Sequence, residues 1–144
     1  MALTATVVAA EVQPAMALVI HLKRDARMII NGAVLENASG RTISFLVKNE
    51  AALLRHSDVL QPAEASTPAT RVYFALQCAY LFADQRPRHL AQVADLVASY
   101  LAAAPSAAPL GAAVREAVAS GNLYDALKKA RKLRQHEREL LKSS

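Results

Sequence analysis

Seven basic side chains crowd a short stretch near the C-terminus: Lys128, Lys129, Arg131, Lys132, Arg134, Arg138 and Lys142, against Glu137 and Glu139. The stretch nets +5, which is also the net charge of the whole 144-residue chain. The remainder therefore balances, and the excess is local. A local cationic strip attracts phosphate or an acidic protein surface more credibly than a diffuse excess would. On a helical period, Leu123, Leu127, Ala130, Leu133 and Leu140 fall on one side. Lys128, Arg131, Lys132, Gln135, Arg138 and Lys142 fall on the other. The plain reading is a solvated outer face, its cations favoured near a helix C-terminus by the helix dipole. The functional reading is phosphate contact, each cation adding a salt-dependent increment. Glu137 stands on the apolar side, where it either pairs with Arg134 or marks a polar contact made by that face.

A second basic set, Lys23, Arg24, Arg27, Arg41, Lys48 and Arg55, lies beside predicted turns, where side chains project from a sheet rim. Asp25, Glu36, Glu50 and Asp58 offset four of these six. The candidate RNA-binding residues, chosen on charge placement alone, are Arg27, Arg41, Lys48 and Arg55 with Lys128, Arg131, Lys132 and Arg138. No aromatic stacking platform of the kind single-strand binders use is evident. Phe45 alternates with Ile43 and Val47 and reads as core.

Catalytic patterns are missing from the sequence. Cys78 and the histidines His21, His56, His89 and His136 have no metal-ligand spacing. There is no glycine-rich phosphate loop and no Gly-x-Ser-x-Gly elbow. Cys78 falls in an apolar helical run and reads as a packing residue. The chain reads as a binding or regulatory protein with no catalytic residue, metal or cofactor, rather than an enzyme.

The elements that would position these charges form two blocks. Residues 16–62 read as a β-rich unit: strands over Ala17–Leu22, Met28–Ile30, Ala33–Glu36 and Thr42–Val47, with Asn31-Gly32 as a hairpin turn. Ala52-Leu53-Leu54 is ambiguous between a short strand and a helical turn. Strands this close in sequence favour an antiparallel meander. Residues 63–144 read as a bundle of about four helices. Thr67-Pro68 starts the first, which runs to about Ala83 and is apolar nearly all round, with Thr70, Gln77 and Asp84 as a thin polar stripe. Arg88–Ala104 follows, with Leu90, Val93, Val97, Tyr100 and Leu101 on one face. Leu110–Ala119, closed by Gly121, and a last helix capped by Asn122 complete the set. The fold class is α+β, the two blocks packed as one compact protein. No stretch is apolar for long enough to span a bilayer, and a single cysteine fits a reducing cytoplasm. Residues 1–15 read as a poorly ordered extension.

Several phrases occur together in order. They are Ile29-Ile30-Asn31-Gly32-Ala33-Val34, Asn37, Arg41-Thr42, Lys48-Asn49-Glu50-Ala51, Leu53-Leu54-Arg55 and Asp58-Val59-Leu60. Then come Thr67-Pro68-Ala69-x-Arg71-Val72-Tyr73-Phe74-x-x-Gln77-x-x-Tyr80-Leu81 and Gly121-Asn122-x-Tyr124-x-Ala126-Leu127-Lys128-x-x-Arg131-Lys132-Leu133 with Glu137. Over about Met16 to Leu141 this set resembles the FlbT family of bacterial flagellin post-transcriptional regulators. The resemblance implies a cytoplasmic regulator of flagellum assembly associated with the 5′ untranslated region of flagellin mRNA, lowering its translation and hastening its decay. Some relatives resemble activators instead. The loop that usually carries a glycine in this family reads Lys23-Arg24-Asp25-Ala26-Arg27 here. The partners implied are the flagellin mRNA leader and, in an alternative adaptor or chaperone-like reading, flagellin or another flagellar regulatory protein. No membrane partner is implied, and a homodimer joined along an uncovered strand edge is the expected assembly.

Overall fold

Turn chemistry decides where the strands of the N-terminal half begin and end. The computed structural model describes residues 18–143, so the expectation for residues 1–15 lies outside the described residues. Of the described residues, those up to Val59 form one compact unit and those from Leu60 a second. In the first, β1 (Leu18–Leu22), β2 (Arg27–Ile30), β3 (Ala33–Glu36), β4 (Ile43–Val47) and β5 (Leu53–Arg55) follow in order. Asn31 at φ 53 and Gly32 at φ 85 form the two-residue turn of the β2–β3 hairpin, the left-handed pair that a tight hairpin needs. The ambiguous Leu53-Leu54 segment is a strand.

The expected meander is not what forms. β1 pairs antiparallel with β4, Leu22 opposite Ile43, while β2 lies between β3 and β5 in a separate three-stranded sheet. The cause is Asn37, buried after β3. Its Nδ2 donates to the carbonyls of Leu22, Lys23 and Arg41 at 2.9, 3.1 and 2.8 Å, and its Oδ1 accepts from Ser39 N–H. One side chain thus holds the end of β1 against the start of β4. Asp25 N–H and Ala26 C=O meanwhile bond the Asn37 backbone and extend the β2–β3 ladder. Asp25 takes φ 61 in this loop, so an aspartate occupies a left-handed position in a loop that carries no glycine. Alternation in β4 runs as expected, with Val47 buried and Ile43 and Phe45 partly so. They join Leu22, Met28, Ile30, Ala51 and Leu53 in the core of this unit.

The second unit is helical: α1 (Pro68–Leu81), α2 (Arg86–Ala103), α3 (Ala108–Ala119) and α4 (Leu123–Lys142). Thr67 caps α1 by accepting from Thr70 N–H, and Pro68 occupies the first turn, where its missing N–H costs nothing. α1 is central, with Ala69, Val72, Tyr73, Leu76 and Ala79 buried. The polar stripe expected on α1 needs correction. Gln77 is buried and clamps the Leu60 backbone, accepting from its N–H at 2.7 Å and donating to its C=O at 2.9 Å. The exposed polar residue of α1 is Arg71. Gly121 at φ 82 ends α3, the Asn122 N–H returns to Ala117 C=O, and Asn122 then caps α4 by accepting from Asp125 N–H.

Candidate nucleic-acid interface

α4 displays its charge because its apolar side is consumed. Leu123, Ala126, Leu127, Ala130 and Leu133 are buried, and so is Glu137. Leu140, expected on the apolar side, is 43% exposed. Of the two readings open for Glu137, the structure bears out a polar contact. Its carboxylate accepts from Thr67 Oγ1 at 2.6 Å and from Ala69 N–H at 3.0 Å, at the N-terminus of α1. An anion there meets unpaired N–H groups and the positive end of the α1 dipole.

The basic residues of α4 divide accordingly. Arg134 turns inward, its guanidinium 4.8 Å from the Tyr73 ring centroid. Lys129 pairs with Asp125 at 3.7 Å. Arg131 is half-buried, with one terminal nitrogen shielded from solvent. Lys128, Lys132, Arg138 and Lys142 are exposed. Three of the four candidates on this helix, Lys128, Lys132 and Arg138, are therefore available at the surface. At 1.5 Å rise per residue the exposed ladder from Lys128 to Lys142 extends over about 20 Å.

Candidates in the first unit do not gather. Arg27 donates to Glu36 at 2.9 Å, directly opposite it in the β2–β3 ladder, so much of its charge is spent locally. Arg41 and Lys48 flank opposite ends of β4 and lie about 20 Å apart along an extended chain. Arg55 ends β5. All four are exposed.

One feature escapes the helical wheel. Tyr124, on the first turn of α4, is 42% exposed and lies 5.9 Å centroid to centroid from Tyr80 near the end of α1, the rings tilted by 45°. Lys128 Nζ sits 5.7 Å from the Tyr124 ring centroid, one turn along. Arg86 donates to the carbonyls of Ala79 and Tyr80, fixing the end of α1 that carries Tyr80. An i, i+4 relation between Tyr124 and Lys128 is visible in sequence, but the Tyr80–Tyr124 pairing joins residues 44 apart and needed the fold.

Two further polar arrangements complete this unit. His136 Nδ1 bonds Tyr100 Oη at 2.8 Å, and Nε2 bonds Ser106 Oγ at 3.0 Å, linking α4 to α2 and to the turn before α3. Burial and then the Glu137 carboxylate push the Tyr100 hydroxyl above its ordinary pKa. A shallow groove of about 540 Å³ between α1 and α2 is lined by Arg71, Phe74, Cys78, His89 and Leu96. Cys78, read as a packing residue, is half-buried at this groove, and burial raises its thiol pKa. No group of metal-ligating side chains gathers among the described residues. No helix among them is long and apolar enough to cross a membrane.

Fold and surface together define an α+β protein whose last helix presents a cationic face ending in an aromatic pair. The chain belongs to the FlbT family: residues 18–141 match the family described as flagellar protein FlbT. It is 36% identical over 125 residues to the probable flagellum biosynthesis repressor protein FlbT 1 of Bradyrhizobium diazoefficiens, covering 87% of this chain and 85% of that one. Identity to a probable flagellum biosynthesis repressor protein FlbT of Rhodopseudomonas palustris is 35% over 126 residues, covering 88% and 98%. The flagellum biosynthesis repressor protein FlbT of Caulobacter vibrioides is 29% identical over 128 residues, covering 88% and 90%. No solved structure matches the chain significantly.

Proposed function

We propose that the chain is a post-transcriptional regulator of flagellin synthesis that acts in the cytoplasm by binding the 5′ untranslated region of flagellin mRNA. Binding lowers translation or delivers the message to cellular nucleases. Its relatives' description as flagellum biosynthesis repressors supports the regulatory part. The RNA part rests on one observation: Lys128, Lys132, Arg138 and Lys142 stand exposed on one helix whose other side is buried from Leu123 to Glu137. Phosphates release counterions when such cations bind them, so affinity falls as salt rises.

The test is anisotropy of the purified protein with labelled flagellin leader RNA across a salt series, with a scrambled RNA as control. Leader-selective binding with a steep salt slope is the expected result. Reversal of Lys128, Lys132 and Arg138 to Glu is expected to flatten the slope by about two units, at roughly 0.7 per single-strand phosphate contact. Because these side chains are exposed, helix content stays unchanged. Binding that is weak and equal for both RNAs would defeat the proposal.

The adaptor reading has its own observation. Leu141 is 63% exposed beside Leu140 at the end of α4, a small apolar tip that a protein partner would cover. Binding of flagellin that hardly weakens with salt, and is lost on changing both leucines to Ser, would favour it.

A further inference from the structure

We propose that the Tyr124 ring, backed by Tyr80 and flanked by Lys128, is a stacking platform for an unpaired RNA base, so that the protein reads single-stranded rather than duplex RNA. The inference rests on the RNA-binding reading above and names the feature of the RNA that this surface takes.

Tyr124 has no packing need for its exposure. Its neighbours on the buried side, Leu123, Ala126 and Leu127, already close the α4 core. Tyr124 is 42% exposed and is reached from solvent past the Lys128 side chain, and every base offers a π-face whatever its sequence. Tyr80, at 5.9 Å and tilted by 45°, packs beside the Tyr124 ring and restricts it. Holding the ring in place before binding removes part of the entropy that ordering it would cost. Lys128 Nζ stands over the ring at 5.7 Å, so a base stacking on that face displaces the ammonium and leaves it next to the incoming phosphate. Lys132, one further turn along and also exposed, continues the cationic track. Aromatic ring followed by cations at one-turn intervals is the combination that single-strand binding uses: stacking supplies base contact, and the cations follow the backbone. A duplex keeps its bases paired and stacked and offers this platform only phosphate.

Two features separate this surface from a merely tolerant patch. The α4 N-terminal turn is fixed by the Asn122 cap, and the α1 C-terminal turn by the Arg86 guanidinium on the Ala79 and Tyr80 carbonyls. Both rings therefore stand on anchored turns. The charge beside them is positive, which suits a nucleic-acid strand and disfavours a basic protein segment.

The experiment compares Tyr124→Ala, Tyr124→Phe and Lys128→Glu/Lys132→Glu with the unmodified protein. The probes are a labelled single-stranded RNA from the flagellin leader and the same RNA annealed to its complement. Tyr124→Ala is expected to weaken single-strand binding about tenfold to hundredfold, with duplex binding and the salt slope unchanged. Tyr124→Phe, which keeps the ring, restores single-strand affinity. The Lys128/Lys132 variant flattens the salt slope for both RNAs. The chain has four tyrosines and no tryptophan, so quenching of tyrosine emission by unlabelled RNA gives a second readout, reduced in Tyr124→Ala. Equal losses for single strand and duplex in Tyr124→Ala, or no loss while the lysine variant still weakens binding, would overturn the stacking platform and leave the RNA reading intact. Absence of RNA binding by the unmodified protein would overturn both. Loss of flagellin capture by Tyr124→Ala with RNA affinity unchanged would assign the same surface to protein and overturn the inference.

Discussion

Three side chains with polar heads are buried among the described residues, and each organises backbone. Asn37 joins the end of β1 to the start of β4, Gln77 closes a two-bond clamp on Leu60, and Glu137 holds the first turn of α1. Removing such a group leaves buried partners without a hydrogen bond, at about 1–3 kcal/mol for each one orphaned. Gln77→Ala, which orphans two such groups, is therefore expected to destabilise by about 2–6 kcal/mol, read as a lowered denaturation midpoint with an unchanged m-value. Glu137→Ala and Thr67→Ala share one hydrogen bond at 2.6 Å. Their effects on stability should fall short of additive in a double-mutant cycle by at least about 0.5 kcal/mol, and full additivity would deny the coupling. These roles also explain why the Asn37, Thr67, Gln77 and Glu137 matches speak for the fold and carry no information about RNA.

At the scale of elements, the connections carry the discriminating conformations. Gly121 sits at φ 82 with nothing within 4 Å of where a Cβ would stand, so Gly121→Ala isolates backbone strain from crowding. It is expected to cost about 1–2 kcal/mol, measured by chemical denaturation, with α4 helicity retained. Asp25 tests the opposite substitution. At φ 61 it already occupies the left-handed region, and Asp25→Gly should shift stability little, because relief of strain is offset by the greater freedom of glycine in the unfolded chain. A change above about 1 kcal/mol would mean that the aspartate side chain, 3.5 Å from Arg24, does more than tolerate its backbone.

For the molecule as a whole, charge placement governs both pH response and binding. The Tyr100 hydroxyl is held above its ordinary pKa by burial and by Glu137, so folding favours the protonated phenol. Its contribution is fully present below the unfolded tyrosine value, about 10, and is lost as pH rises through the higher folded value. Thermal melts between pH 8 and 11 should show stability falling at the alkaline end, and less steeply in Tyr100→Phe. A parallel decline in both would remove Tyr100 from the account.

Local chemistry made much of this protein legible before any coordinates. Thr67-Pro68, Asn31-Gly32 and Gly121-Asn122 act over a few bonds, and each formed the cap or turn its residues demand. Helical periodicity placed the cations of α4 on its outer side, because a 3.6-residue repeat needs no partner to define a face. Which strands pair was a different matter. Registers such as Leu22 opposite Ile43 join residues far apart in sequence, and the Asn37 hydrogen bonds that select them over a meander exist only once three loops converge. The fate of single charges was likewise settled in three dimensions. Arg134 found an aromatic ring, Arg131 became half-buried, and Glu137 found a helix terminus, while Lys128 and Lys132 stayed in solvent. The pairing of Tyr80 with Tyr124 belongs to the same class. Periodicity assigns a residue to a side of its own helix, and only packing against other elements decides what that side meets.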